Sequence, residues 1–459
     1  MVSIRDRLED LYPAAAIERV FNALQTPDVA GRLKEAMRRA GLKDHRPLEQ
    51  IQQQVQRAWR EARTWLDALS AQLEAGETSP SILNATGQLF HPTVDGVAVP
   101  ISVAHAMASA ASHVHHSQAL RNRVQAWVLR HLHTHASWHV SLADALSLLL
   151  RGRTVLIAKS DMQRVAGLGG LDALLADCQL REVGATNGTV AEDWQPVLER
   201  LDAATAVILM VSPNGLAADQ YHRQRQTTLD AAIASGVEVV ELVGDATLDR
   251  TLPERYGMPY LPTVLDAHPG IVVIPLHLFL GAPGGCALFG PADCMKKLQR
   301  QSDLRGTSLS PAGLFAALTS LELLRTGAGV ETGAIGRLLA NPENLADRAR
   351  RMAIQLAGKG PVNTAEEVFR HVDLGPAPWN RYRLDNWGVL LKTEQPAEEV
   401  RRRLEQGTAV VAEPMPAGGE PPAIPRIATA VQDDKLLIDL RFVEPKDDAA
   451  VIRTLVGEP

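Results

Sequence analysis

The chain has 459 residues, 46% of them hydrophobic, enough to bury a sizeable core in two or three domains. Its formal net charge of −6 excludes a chain-wide electrostatic footprint for nucleic acid or an anionic membrane. Three cysteines, Cys178, Cys286 and Cys294, form neither a CxxC pair nor a zinc pattern and read as reduced thiols. Met1–Asp10 is charged, which is unlike a signal peptide, and no apolar run approaches the roughly 20 residues that span a bilayer. A cytoplasmic, soluble protein with no membrane association is therefore expected.

Residues 1–78 are predicted to form an N-terminal helical domain. From Pro47 to Leu73, Leu48, Ile51, Val55, Ala58, Ala62, Trp65, Leu66, Leu69 and Leu73 recur at helical spacing and give one apolar face. Arg32, Lys34, Arg38, Arg39 and Lys43 make a local basic patch, although twelve basic residues meet twelve acidic ones over 1–78. Two readings stay open for this region: a solvated cap or oligomer contact, and a surface for nucleic acid. Gly76–Pro80 reads as a linker.

Residues 79–330 are predicted to be a large α/β domain and 331–459 a smaller α+β domain. The stretch 101–150 reads as helical, with Leu120, Val124, Trp127, Val128 and Leu132 on one side. Eight of the fourteen histidines lie between His105 and His139. His131 and His135 are four apart, a spacing a metal site can use, but no acidic third ligand lies near them in sequence, and no metal is expected.

Strand and helix then alternate as in a parallel α/β sheet. Thr154–Ala158, Val207–Val211 and Val237–Leu242 read as strands, and Gly170–Cys178 and Leu229–Ser235 as helices. Gly167-Leu168-Gly169-Gly170 lacks both the G-x-G-x-x-G spacing and the later acidic residue of a dinucleotide site. Ile271–Gly290, IVVIPLHLFLGAPGGCALFG, combines a β-branched strand, a turn with Gly281, Pro283, Gly284 and Gly285, and a second apolar strand. Ser310–Arg325 reads as a connecting helix, and the Pro/Gly-rich Glu413–Ala423 as a mobile loop. Neither a G-x-S-x-G elbow nor a Walker A sequence occurs.

Three stretches carry a resemblance to a known family. Ser81–His91 (SILNATGQLFH) resembles I-N-x-T-G-x-x-x-H, Arg181–Thr189 (REVGATNGT) resembles E-V-G-T-T-N-R-T, and Gly281–Gly290 resembles a G-G-P turn and strand. The closing Leu436–Arg441 (LLIDLR) resembles L-W-L-D-L-R. Together they are similar to the bacterial selenocysteine synthase (L-seryl-tRNA(Sec) selenium transferase) family, whose fold is the fold-type I pyridoxal-phosphate (PLP) transferase fold. The resemblance implies a mainly parallel seven-stranded sheet between helices.

It also implies where the family's chemistry would sit, and there the sequence departs from the pattern. The cofactor-lysine position is Leu278 and the pyridinium-aspartate position is Leu242; Glu241 is one residue off, on the opposite strand face. The phosphate-gripping N-N-N-A-A-A run falls on Leu142–Ser147 and so includes Leu142 and Asp144. The two active-site arginine positions are Gly96 and Gly188. No lysine at all occurs between Ser160 and Met295, so a small shift of alignment does not restore one. The degenerate cleft is thus assigned to Gly96, Leu142, Asp144, Gly188, Gly281 and Gly284, with no catalytic residue.

A PLP enzyme needs an amine for the aldimine, an acid on the ring nitrogen and donors for the phosphate. The expectation is accordingly that no cofactor is bound, in contrast to the PLP of the resembling family. The chain then acts as a non-catalytic binding or assembly subunit, a homo-oligomer of two or more copies or a mixed oligomer with an active paralogue. Two alternatives stay open: an active transferase or related aminoacyl-tRNA or amino-acid PLP enzyme, and an RNA-binding module using the N-terminal helices.

Overall fold

A computed structural model of the chain describes residues 82–456 except 93, 95–98, 113–116, 163, 166–168, 172–174, 176–177, 215, 328–332 and 408–424. The helices and basic patch expected over 1–78, the 76–80 linker and the 413–423 loop lie outside the described residues.

Seven strands form the large sheet. They are β2 (His135–His139), β3 (Thr154–Ala158), β4 (Gln179–Val183), β5 (Ala206–Ser212), β6 (Glu238–Val243), β7 (Ile271–Pro275) and β8 (Cys286–Gly290), after β1 (Ile82–Ala85). Their order is β2-β8-β7-β6-β5-β3-β4. All neighbours are parallel except that β8 runs antiparallel to both β2 and β7. The reason lies in the sequence: β5 (AVILMVS) and β7 (IVVIP) are buried at every position, the mark of strands covered by helices on both faces. Helices Leu142–Leu150, Ala218–Ser235 and Ala292–Arg305 supply such cover.

A second sheet is built from β1, β9 (Val362–Asp373), β10 (Arg383–Thr393), β11 (Arg426–Gln432) and β12 (Lys435–Asp439), in the order β1-β11-β12-β10-β9. Asp433 and Asp434 both take positive φ, 50° and 57°, which closes β11 and β12 into a tight hairpin. Residues 82–85, expected to open the large domain, instead pair parallel with β11, so the start and the end of the described chain share one sheet.

Three expectations about elements change. The stretch 101–150 is not all helix: helices Ile101–Ala111, Ser117–Leu132 and Leu142–Leu150 are interrupted by β2. His133, at φ 53°, ends the second helix, and pairing with β8 draws His135–His139 into the sheet. His131 and His135 therefore lie on different elements rather than on one helix face. Leu229–Ser235 is the end of a much longer helix, Ala218–Ser235, closed by Gly236 in the left-handed region. The expected helix at 170–178 falls largely outside the described residues.

Candidate functional site

The parallel strands all end on one edge of the large sheet, where open α/β folds bind their ligands. That edge gathers Asp161 after β3, Ser212 and Asn214 at the end of β5, Asp245 after β6, and Leu276–Leu278 after β7. Segment Trp379–Tyr382, leading into β10 of the second sheet, packs beside them.

Apolar side chains fill the positions to which the family resemblance assigns cofactor chemistry. Leu242 is fully buried and Leu142 nearly so, and both belong to one buried cluster with Leu146, Leu209, Val211 and Val273. Leu278 is 2% exposed and lies in the neighbouring core with Phe279, Leu280 and Trp379. A Cβ built on Gly244 would lie 3.5 Å from Leu278 Cδ1 and 3.7 Å from Trp379 Cη2, so leucine, indole and strand end are in close register. Trp379 in turn packs on Phe90, with ring centroids 4.3 Å apart, and on Phe279, 5.6 Å apart.

The remaining assigned positions have local structural roles. Ser141 caps helix Leu142–Leu150: its Oγ accepts from the Asp144 amide at 3.1 Å and donates to Asp144 Oδ2 at 2.6 Å. The helix N-terminus, where a phosphate would be gripped, therefore carries a carboxylate of the chain itself. Gly188 has φ 136° and closes a turn with Ala185; a Cβ there would sit 3.2 Å from Gln220 Nε2. Gly281, at φ 62°, lies against Ser320, whose hydroxyl donates to the Leu280 carbonyl. Gly284 is exposed and meets nothing within 4 Å. Gly96 lies outside the described residues.

Two buried carboxylates at this edge escaped sequence reasoning. Asp245 Oδ1 and Oδ2 share the Ser212 hydroxyl at 2.8 and 3.1 Å, and Oδ2 also accepts from Tyr382. The Arg381 guanidinium lies over the rings of Tyr221 and Tyr382, 5.4 and 5.1 Å from their centroids. Burial pushes the Asp245 carboxyl up, against the opposing pull of Arg381 and its two hydroxyl donors. Asp161 is held by Asn214 Nδ2 at 2.8 Å, Gln224 Nε2 at 2.9 Å and the Val211 amide at 3.0 Å, yet burial still lifts it to about 6. The sequence signal for Asp245 was slight: an aspartate directly after the Val239–Gly244 stretch, three residues past Leu242. Tyr382 lies 137 residues away and gave none.

Glu241 is buried; Arg225 binds it bidentately at 2.7 and 2.8 Å, the Tyr221 hydroxyl donates at 3.1 Å, and His268 Nε2 lies 3.4 Å from its Oε2. It is thus committed to the helix Ala218–Ser235.

The other matching motifs also hold the fold. Asn84 Oδ1 accepts from the Thr86 amide and hydroxyl, shaping the turn that ends in Gly87 at φ 85°. A Cβ on Gly87 would fall 2.5 Å from Asp439 Oδ2, a closeness that only glycine permits. Asp439 accepts from Asn386 Nδ2 and from the Arg441 amide, and the fully buried Arg441 donates to the Arg337 and Leu338 carbonyls.

Comparison with known proteins places this geometry. No protein-family model matches the chain. It is 26% identical over 321 residues to L-seryl-tRNA(Sec) selenium transferase of Moorella thermoacetica, an alignment covering 68% of this chain and 64% of that protein. The chain thus spans less than two thirds of the curated relative it matches. Among solved structures, D-glucosaminate-6-phosphate ammonia-lyase superposes with a TM-score of 0.56 at 14% identity, over 84% of this chain and 97% of the other. A serine palmitoyltransferase from S. paucimobilis with a bound PLP–myriocin aldimine matches at a TM-score of 0.43 and 14% identity, over 83% and 87%. The fold is that of the fold-type I PLP-dependent enzymes, as the sequence resemblance implies.

These relatives correct one expectation. The absence of a cofactor was inferred from the residues at the family's cofactor positions (Leu278, Leu242, Leu142–Ser147, Gly96 and Gly188) and from the lysine-free stretch, whereas the relatives belong to PLP-dependent fold-type I proteins and point to PLP. The departure at those positions bears on attachment: the Leu278 side chain has no amine, and the side chains of Leu142 and Leu242 carry no polar atom to offer a phosphate or a ring nitrogen. The described residues there do not fit a lysine-linked PLP, and no reaction step is routed through it.

Proposed function

We propose that this chain is a selenocysteine-synthase-like protein that keeps the fold-type I frame as a binding and oligomer-assembly subunit, without lysine-linked catalysis. One observation carries the reading: Leu278, at the cofactor-lysine position, is 2% exposed and packed in the core that contains Phe279 and Trp379. A lysine from a neighbouring position has no route into this core, because the sequence from Ser160 to Met295 contains none. PLP that enters the cleft is held without a covalent link at residue 278. Three further features belong to the same reading: a cytoplasmic location, assembly as a homo-oligomer or with an active paralogue, and the division into 1–78, 79–330 and 331–459. Among the described residues no helix is long and apolar enough to cross a membrane.

The test is to incubate the purified chain with PLP, reduce with borohydride and map any adduct by peptide mass. The expected result is no stoichiometric lysine adduct, with bound PLP leaving on dialysis. One lysine labelled to completion, and released from PLP by an amino-acid substrate before reduction, overturns the reading and identifies the catalytic amine.

A further inference from the structure

The outer strand of the second sheet is β9. β9 pairs with β10 along its length, and among the described residues no strand pairs with its other side. From Asn363 to His371 every residue is exposed or half-buried, on both faces. Edge strands are usually guarded by charged side chains, lysine above all, by proline, by bulges or by being short. β9 is twelve residues long, has no proline, glycine or lysine, and breaks register only at its start, between Val362 and Thr364.

The charges on this edge have an order. Glu366 and Glu367 come first, Val368 and Phe369 lie in the middle, Arg370 and His371 follow, and the exposed Asp373 ends the strand. In an antiparallel pair of identical strands, acidic end meets basic end; in a parallel pair each charge meets its own like, which is destabilising. A two-fold axis at Phe369 sets Glu367 opposite the partner's His371 and diagonal to the partner's Asp373, and sets Glu366 diagonal to the partner's Arg370, whose Nη1 is buried. The same axis sets Phe369 against the partner's Phe369. The Phe369 ring is 44% exposed and already packs edge-on against Trp387 and His371, at 5.5 and 5.0 Å between centroids. Glu367 and His371 have present partners in Arg350 at 3.2 Å and Asp385 at 2.7 Å, all surface side chains held by weak, exchangeable pairs.

We infer that two copies of this chain join edge to edge through β9, antiparallel about an axis at Phe369, in one continuous ten-stranded sheet. The contact is isologous and closes on itself. It supplies a surface for the assembly part of the proposed function and rests on that part alone.

The test is the mass of the full chain in solution, by sedimentation or native mass spectrometry at micromolar concentration. The double variants Glu366→Lys/Glu367→Lys, which leaves Asp373 as the one acid on the strand, and Arg370→Glu/His371→Glu, which leaves acids only, are each expected to halve the particle mass. Mixing the two restores it, because the unlike edges pair. Phe369→Glu, which leaves Arg370 in place, also halves the mass and keeps the test valid if Arg370→Glu impairs folding. Unchanged mass in Phe369→Glu and Glu366→Lys/Glu367→Lys overturns the surface while leaving assembly intact. A monomeric wild-type chain overturns both surface and assembly, while the borohydride test still reads the cleft.

Discussion

The Ser212 hydroxyl lies between the two carboxylate oxygens of Asp245, 2.8 Å from Oδ1 and 3.1 Å from Oδ2. Tyr382 donates to the same carboxylate from the segment that leads into the second sheet. One buried acid thus ties the ends of two strands in the large sheet to the start of a strand in the other. Tyr382→Phe removes that tie while keeping the ring, and is expected to lower unfolding free energy by about 1–3 kcal/mol. Urea denaturation at neutral pH measures it, and an unchanged midpoint would show that the tie contributes nothing.

Asp161 gives a pH signature. Burial raises its carboxyl to about 6, so between roughly pH 4 and 6 the folded chain holds a proton that the unfolded chain has released. Stability attributable to this group is full below pH 4 and declines as pH rises to 6. A shift of about two units corresponds to about 3 kcal/mol. Asp161→Asn is expected to flatten that part of the stability–pH curve, whatever its effect on absolute stability. A slope identical to wild type between pH 4 and 6 would assign the decline to other groups.

Gly87→Ala is expected to destabilise by roughly 2–4 kcal/mol. The new Cβ falls 2.5 Å from Asp439 Oδ2, and φ 85° is itself strained for any residue with a side chain. The contrast is Gly152→Ala, also at positive φ (75°) but with nothing within 4 Å of its Cβ, where only the backbone term of about 1 kcal/mol applies. Equal losses at the two sites would rule out the contact with Asp439.

Trp379 separates packing from polarity. Trp379→Ala deletes the ring packed on Phe90 and Phe279 and is expected to lose about 3–5 kcal/mol. Trp379→Phe keeps most of that contact and removes a buried Nε1–H that meets no acceptor among the described residues, so its loss is at most about 1.5 kcal/mol. Thermal unfolding of the pair distinguishes the two contributions.

Leu278→Lys restores the family residue without its surroundings. A lysine at a 2% exposed site among Phe279, Leu280 and Trp379 has its amine pushed to the neutral form, below its ordinary range. The variant is expected to lose several kcal/mol at pH 7 and less at pH 10. Its folded state binds fewer protons than its unfolded state, so stability recovers as pH rises. A loss independent of pH would mean that the amine escapes to solvent.

Much of the large sheet was legible in the chain itself. Val207–Val211 and Ile271–Ile274 are apolar runs rich in Val and Ile without polar interruption, which is what a strand covered on both faces requires, and Gly281–Gly285 marks the turn to the antiparallel strand β8. The substitutions at Leu278 and Leu242 were equally visible, since residue identity needs no coordinates. The strand His135–His139 was missed although His-Ala-Ser-Trp-His alternates polar and apolar residues, because a five-residue alternation directly after a helical stretch is a weak signal, and pairing with β8 is what draws it into the sheet. Placement of Ile82–Ala85 beside Arg426–Gln432 joins segments more than 340 positions apart, and no local pattern encodes such a pairing. The same holds for the edge carboxylates. That Asp245 exists is a fact of sequence; that Ser212 and Tyr382 close around it, and that Glu241 is committed instead to Arg225, follows from desolvation forcing each buried polar group to find whichever partners the packed fold brings within reach.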